Sequence, residues 1–305
     1  MLRPAWQTES VTYLSPLTHP IRTIGGRVFD FSREIVVMGI VNRTPDSFYD
    51  KGLTYALDRA VEAGRRATAD GAGWIDVGGV PFSPDVPKVS VEEELDRVVP
   101  VVAGLAAEGV VVSVDTVRPV VARAAIAAGA GVINDTSGLR DPELADVVAG
   151  SAATLVITHS AAAPGVHLRR PTYDDVVSEI RAFLADRVEL AVARGVPPER
   201  IVIDPGHDLN KNTRHSLEIT RRFAELADLG LPVLAAVSNK DFIGESLDLE
   251  RGERLEASLA AATVCALNGA RILRMHQVRE SVRAARMVEA ILGLREPAYL
   301  RHNMS

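Results

Sequence analysis

Short apolar runs alternate along the chain with longer segments of helical spacing, and this alternation sets the predicted fold. The first run, residues 35–41, is rich in β-branched side chains, which is typical of a strand buried on both faces. It stops at Asn42, where a polar loop begins. After it, each helical segment ends in a glycine, the residue that takes the left-handed conformation past a helix without strain. The glycines at these junctions are Gly71, Gly109, Gly129, Gly150, Gly195, Gly230 and Gly269.

Each of these glycines precedes a further apolar run, so the pattern predicts eight strands joined by helices. Residues 278–292 supply the eighth helix. We therefore predict an α/β protein with a single (β/α)8 TIM barrel over residues 34–293 and a C-terminal tail over 294–305. A doubly wound open sheet is the alternative, but no G-x-G-x-x-G follows the first strand.

The barrel is preceded by a short extension, residues 1–33, which we interpret as an arm and a possible hairpin. Gly25 and Gly26 separate two short runs with β-branched and aromatic residues, a spacing that indicates a β-hairpin. Such a hairpin can close the bottom of the barrel. An irregular lead-in to the first strand is the alternative.

Composition narrows the class of protein. The chain has 305 residues, a net charge of −6 and a pI of about 5.7, which argues against general binding of nucleic acid or membrane surfaces. No apolar run has the length of a membrane helix, and the first residues contain no apolar signal core. The single cysteine, Cys265, lies in an apolar helical run and is interpreted as a core residue. We expect a cytoplasmic protein.

Polar side chains follow the predicted strands, and in a barrel these positions gather on one face. Carboxylates and amides follow the first strands, whereas Lys240, Arg274 and His276 follow the last two. This order predicts a site for a polar heterocycle beside an anion. Taken singly, each residue has an ordinary explanation, such as a helix cap for Asp115 or a solvated charge for Lys240. The earlier strands and the seventh contribute Asn42, Asp76, Asp115, Asn134, Asp135, His159, Asp204 and Ser238.

Several motifs resemble those of dihydropteroate synthases, in order and over residues 34–292: VMGIVNRTPDSF, IDVGG, VSVDT, IND, IDPG, SNK and RMH. The resemblance implies that a Mg²⁺-bound dihydropterin diphosphate loses pyrophosphate and that the amine of p-aminobenzoate attacks the pterin cation. It implies that Asn42 contacts Mg²⁺, that Arg274 and His276 bind the diphosphate, and that Asp50 faces the cation. It also implies a homodimer. The residues implied to hold the pterin ring or bind substrate are Asp115, Asn134, Asp204, Ser238 and Lys240.

The chain departs from the family pattern around the expected p-aminobenzoate and diphosphate sites. Ser83 and Asn239 stand where arginines are expected, and Leu209 replaces an expected aromatic residue. Asp208 adds a carboxylate that would repel a benzoate, and Phe82 would fill part of the benzoate space.

Two cations of the first loop, Arg43 and Lys51, would compensate in part for the missing arginines. We therefore expect a dihydropteroate synthase homologue with weak, altered or lost activity. A non-catalytic pterin-binding protein and a pterin-dependent methyltransferase are the alternatives. Lys240 and the Arg274-Met275-His276 segment favour the synthase over the methyltransferase.

Overall fold

A computed structural model of the protein describes residues 14–43, 56–81, 88–166 and 168–303. Eight parallel strands close into a barrel in the order β10-β3-β4-β5-β6-β7-β8-β9, which confirms the predicted (β/α)8 fold. The strands are β1 (Ile21–Ile24), β2 (Arg27–Asp30), β3 (Val36–Asn42), β4 (Trp74–Gly78), β5 (Val112–Asp115), β6 (Val132–Asp135), β7 (Thr154–Thr158), β8 (Ile201–Asp204), β9 (Val233–Ala235) and β10 (Ala270–Met275). The helices are α1 (Leu57–Ala69), α2 (Val91–Ala106), α3 (Pro119–Ala127), α4 (Glu143–Ala149), α5 (Val176–Ala193), α6 (Thr213–Arg221), α7 (Ala224–Ala227), α8 (Asp241–Leu247), α9 (Leu255–Leu267) and α10 (Val278–Ile291).

Six of the seven predicted junction glycines are left-handed, among them Gly71 at φ 102° and Gly269 at φ 103°. Gly150 is the exception, because its φ is −73°. At that helix end the guanidinium of Arg200 donates to the carbonyls of Val148 (3.3 Å) and Ala149 (3.5 Å). A side chain thus satisfies carbonyls that a left-handed turn would otherwise cap.

The predicted hairpin is present and closes the amino-terminal mouth of the barrel. Gly25 and Gly26 form its turn with φ values of 53° and 78°, as a tight two-residue turn requires. Phe29 and Phe31 pack edge-on against Trp74, with ring centroids 6.0 and 6.4 Å away. These rings belong to the core inside the barrel, so the hairpin is an integral part of the fold.

Two expectations from composition concern the helices. Cys265 is fully buried in α9, and this burial raises the pKa of its thiol to about 12, which agrees with its interpretation as a core residue. Within the described ranges, no helix has both the length and the apolar character needed to span a lipid bilayer.

Candidate functional site

The candidate site lies inside the barrel at the carboxyl ends of the strands. Trp74, Val132, Val202 and Ile272 belong to the core cluster inside the barrel. Because side chains alternate between faces along a strand, the residue two positions after each of them also faces inward. These inward-facing residues are Asp76, Asn134, Asp204 and Arg274.

Arg274 joins two carboxylates across the barrel. Its Nε donates to Asp76 Oδ2 at 2.7 Å, and its Nη2 lies 3.5 Å from Asp115 Oδ2. Asp76 is fully buried and also accepts from the Ser113 hydroxyl at 2.6 Å. Desolvation, and then the charge of Asp76, raise the pKa of Asp115 to about 7, although 27% of its side chain is exposed. The predicted diphosphate ligand Arg274 is therefore already shared between two acids.

Asn134 and Asp204 present acceptor atoms to the same space. Asn134 Nδ2 donates to Asp76 Oδ2 at 3.2 Å, whereas its Oδ1 is buried and has no hydrogen-bond partner among the described residues. Asp204 is 4% exposed and accepts from the Gly206 backbone N–H at 2.7 Å. Desolvation raises the pKa of Asp204 to about 6, opposed by this hydrogen bond and by nearby lysines. Both groups can accept from a heterocycle.

Ser238, Lys240 and His276 meet on the side of the last two strands. The Ser238 hydroxyl lies 2.9 Å from His276 Nδ1 and accepts from the His276 backbone N–H at 3.2 Å. Lys240 directly precedes α8 and is close enough to Asp204 and Arg274 for their charges to shift its pKa. Burial is the largest cause and lowers the pKa of Lys240. The described part of the chain thus gathers most of the predicted site residues at one mouth.

Lys211 is a buried cation of this region that the sequence interpretation missed. Its Nζ lies 2.9 Å from His159 Nδ1 and donates to the carbonyls of Gly206 (2.9 Å) and Leu209 (3.0 Å). Burial lowers the pKa of Lys211 to about 7. Lys211 therefore fixes the loop that follows Asp204.

His159 belongs to this packing and not to the row of inward-facing groups. Its ring packs edge-on against Phe183 at 4.8 Å, and burial followed by the Lys211 charge lowers its pKa to about 2. Strand alternation indicates which residue at the end of β7 faces inward in place of His159. Because Val156 faces inward, Thr158, two residues later, does so as well.

Asp208 has a structural partner that alters its predicted effect. Its Oδ2 accepts from the backbone N–H groups of Asp241 (2.7 Å) and Phe242 (3.3 Å) at the start of α8. Its Oδ1 accepts from the Ser216 hydroxyl at 2.8 Å. A carboxylate at a helix N-terminus is stabilised there, so the expected repulsion of a benzoate by Asp208 is reduced.

Arg43 also has structural hydrogen bonds, which it makes to backbone carbonyls of α2. Pro100 lies inside α2 and cannot donate to the carbonyl four residues earlier, that of Asp96. Arg43 Nη1 donates to this carbonyl at 2.7 Å and to the Arg97 carbonyl at 2.8 Å. To compensate for a missing diphosphate arginine, Arg43 would have to give up these two bonds, and its compensating role stays a prediction.

Asn42 ends β3, and a Cβ on Gly78 would lie 3.3 Å from its Oδ1. The glycine thus leaves room around an amide oxygen, the hard ligand type that Mg²⁺ accepts. No group of three or more acidic, histidine or cysteine side chains suited to a metal occurs among the described residues. Four residues of the sequence analysis, Asp50, Lys51, Phe82 and Ser83, lie outside the described residues.

The loop that carries Asn239 and Lys240 is held by one buried arginine. Arg254 Nη1 donates to the carbonyls of Asn239 and Lys240, each at 3.1 Å. Its guanidinium packs over Gly244 of α8, where a Cβ would lie 2.2 Å from Nη2. Asn239 itself is left-handed at φ 56°. Arg254 and Gly244 together therefore position Lys240.

We expect Gly244→Ala to weaken pterin binding because the added methyl displaces Arg254 from these two carbonyls. Overpacking of this kind costs about 1–3 kcal/mol of unfolding free energy. Urea unfolding and calorimetry with a dihydropterin measure both effects. Gly252, where a Cβ meets no atom within 4 Å, provides the matched control Gly252→Ala. Equal behaviour of the two variants would contradict the positioning role.

Comparison with known proteins identifies the family of this chain. The model of the pterin binding enzyme family matches residues 38–276. The chain belongs to this family. It is 45% identical over 286 residues to "Inactive dihydropteroate synthase 2" of Mycobacterium tuberculosis (strain ATCC 25618 / H37Rv), covering 90% of this chain and 88% of that protein. It is 39% identical over 261 residues to dihydropteroate synthase of Escherichia coli (strain K12), covering 85% and 93%.

Solved structures of family members have the same fold. Dihydropteroate synthase of Xanthomonas albilineans with 4-aminobenzoic acid has a TM-score of 0.82 and 40% identity, covering 90% of this chain and 98% of that one. The same enzyme in complex with 7,8-dihydropteroate has a TM-score of 0.80 at 40% identity, covering 89% and 98%. The predicted dihydropteroate synthase-like character is thereby confirmed. Similarity to relatives named inactive agrees with the expectation of weak or lost activity.

Proposed function

We propose that this pterin binding enzyme family member binds a dihydropterin diphosphate and condenses it with p-aminobenzoate, or a related amine, slowly or not at all. Asn134 is the observation that carries the proposal of substrate binding. Its Oδ1 has no hydrogen-bond partner in the part of the chain that the structure describes, and it faces inward on β6, the strand next but one to β8, which carries Asp204. A pterin ring offers N–H donors along one edge, and the oxygens of Asn134 and Asp204 can accept hydrogen bonds from them. Asp115 and Lys240 complete the ring-binding set.

The arrangement of the positively charged side chains supports the proposal that catalysis is weak. Pyrophosphate departure needs positive charge at the leaving oxygens. Arg274 would supply it together with His276, but a diphosphate must compete with Asp76 and Asp115 for that guanidinium. Ser83 and Asn239 provide no charge where the family pattern has arginines. Substrate binding can therefore persist while leaving-group stabilisation is lost.

Magnesium fits this proposal through the amide oxygen of Asn42. Mg²⁺ commonly keeps only one or two protein ligands and takes its others from phosphate oxygens and water. When bound, it would offset charge on the diphosphate. The side chains have the other roles: Asp204 and Asn134 would orient the ring, and Asp50 would face the pterin cation. A cytoplasmic location stays a prediction from composition.

Two measurements test the proposal together. Calorimetry with a dihydropterin should show binding, whereas pyrophosphate release from dihydropterin diphosphate should be slow with and without p-aminobenzoate. A kcat/KM of about 10⁴ M⁻¹s⁻¹ or more, the lower end of the usual enzyme range, would contradict the weak-activity half. Absence of pterin binding would contradict the other half.

Pterin affinity should fall as the pH drops below about 6. The pKa of Asp204 is raised to about 6 from an ordinary 3.8. Between these two pH values the carboxyl is protonated in the folded protein and ionised in the unfolded chain. A protonated carboxyl accepts N–H donors poorly, so binding must expel this proton. Because the pKa is raised, the same proton uptake stabilises the fold as the pH falls through that window. Titration calorimetry from pH 8 to 5 measures the effect. In Asp204→Asn the step near pH 6 should vanish, whereas any step near pH 7 from Asp115, whose pKa is about 7, should remain. A step near pH 6 that persists in this variant would assign the pH dependence to another group.

We further propose that the protein is a homodimer, as the sequence resemblance implies, and that α9 and α10 form its interface. Exposed apolar side chains lie on both helices, including Val264 and Leu267 on α9 and Met287 and Ile291 on α10. Sedimentation velocity at micromolar concentration should show a dimer, and Met287→Glu with Ile291→Glu should give a monomer. A wild-type monomer would refute the proposal. Val120→Glu on α3, also an exposed apolar position, is the control.

A further inference from the structure

Three consecutive strands, β6, β7 and β8, place polar side chains inside the barrel at their carboxyl ends. Asn134, Thr158 and Asp204 are 2%, 1% and 4% exposed, and we call these three buried residues the row. Thr158 pairs in register with Asp204. It lies two residues after Val156 of the inner core cluster, and Val156 pairs in register with Asn134. The alternation of side chains along β7 therefore turns Thr158 inward.

The hydroxyl of Thr158 has no hydrogen-bond partner among the described residues. Its methyl group is close to the next loop, since a Cβ on Gly206 would lie 3.1 Å from Thr158 Cγ2. A buried hydroxyl without a partner costs free energy that a ligand atom can recover. Thr158 and Asn134 are thus inward-facing residues on adjacent strands, each with an atom that has no hydrogen-bond partner among the described residues.

The chemistry of the row defines what fits it. Asn134 Nδ2 is engaged by Asp76, so Asn134 turns an acceptor oxygen to the space, and ionised Asp204 can only accept. A threonine hydroxyl can donate. Across the three strands the row therefore offers an acceptor on Asn134, a donor on Thr158 and an acceptor on Asp204.

We propose that Thr158 is a specificity-determining residue of the pterin site and donates a hydrogen bond to ring nitrogen N1 of a 7,8-dihydropterin. This ring presents N8–H, N1 and the 2-amino group side by side, an edge that reads donor, acceptor, donor. Thr158 meets the central acceptor, and Asn134 and Asp204 meet the flanking donors. The inference rests on the proposed function and names the ring atom that its site recognises.

Thr158→Val tests the hydroxyl with little change of shape. We expect it to lower the affinity for a 7,8-dihydropterin about three- to tenfold, the effect of one net hydrogen bond, whereas Thr158→Ser stays within about twofold of wild type. Valine suits a strand and removes an unpartnered hydroxyl, so the melting temperature should not fall. Thr154→Val is the matched control. Thr154 lies on the same strand and face and is equally buried, and its hydroxyl also has no partner within the described ranges. It lies about 13 Å nearer the opposite mouth.

Ligand analogues identify the atom. The 1-deaza analogue has a C–H in place of N1, so wild-type protein should bind it about three- to tenfold more weakly than the parent pterin. Thr158→Val should bind both ligands almost equally, because the hydrogen bond is already absent. Equal sensitivity of wild type and Thr158→Val to the analogue would overturn the inference.

Asp204→Asn separates this inference from the proposed function. If Asp204→Asn loses pterin affinity and Thr158→Val does not, the role of Thr158 is refuted and the pterin site stands. If neither variant changes the affinity, the pterin site itself is refuted. Loss of affinity in Thr154→Val as large as in Thr158→Val would refute a direct contact.

Discussion

Asp204→Ala should lower the affinity for a dihydropterin at least about tenfold while the barrel stays folded. A hydrogen bond to a charged group contributes about 1.5–3 kcal/mol, and the inward carboxylate of Asp204 is the strongest acceptor of the ring-binding set. Within the protein it accepts a backbone bond from Gly206, whose loop Lys211 also holds. The loop should therefore survive the substitution. Titration calorimetry measures the affinity, and circular dichroism checks the fold.

Asp146→Ala is the control for this experiment. Asp146 lies on α4 in an exposed ion pair with Arg194, so the substitution removes a carboxylate without touching the barrel mouth. Pterin affinity in Asp146→Ala should equal that of wild type. Unchanged affinity in Asp204→Ala would remove Asp204 from the site.

Arg274→Met should lower the free energy of unfolding by about 3–5 kcal/mol, the usual effect of removing one partner of a buried ion pair. Asp76 is fully buried, and without Arg274 the bonds that its charge keeps from described residues are those from Ser113 and Asn134. Methionine fills a similar volume, so the lost charge and not a cavity should dominate. Urea unfolding at pH 7 measures the change.

The double variant Arg274→Met with Asp76→Asn separates charge from packing. Neutralising Asp76 removes the uncompensated carboxylate, so the double variant should recover most of the lost stability. Pterin diphosphate binding should stay weak in both variants. A double variant as unstable as the single one would show that Arg274 stabilises the barrel by packing alone.

Fold and site differ in how much of each could be predicted. The strands and the glycines after the helices are local signals, and six of the seven glycines behave as expected. Gly150 does not, because its helix end is served by Arg200, a residue 50 positions along the chain by sequence number. Capping by a distant side chain leaves no local pattern.

The site shows the same division. Strand ends predicted Asp76, Asn134, Asp204 and Arg274 as a group, since position in a barrel follows from strand order. The backbone groups of α8 that bond to Asp208 and those of α2 that bond to Arg43 could not be predicted, because the closed barrel brings them close. Thr158 was overlooked because a β-branched residue in a strand is normally interpreted as core.

The hairpin at the bottom of the barrel has a consequence for the order of folding. It is synthesised before the barrel strands, yet Arg22 of β1 donates to the carbonyl of Ile201, 179 residues later, and the Gly25 turn packs against Gly131. Contacts this distant in sequence form slowly, because a long loop must close before they give any stability. A nascent chain that stops before β8 therefore lacks part of the surface that holds this hairpin, including the carbonyl bonded by Arg22. We expect hydrogen exchange during refolding to show amides of β1 and β2 gaining full protection only with the last strands, so that a segment made before the barrel is among the last to become stable.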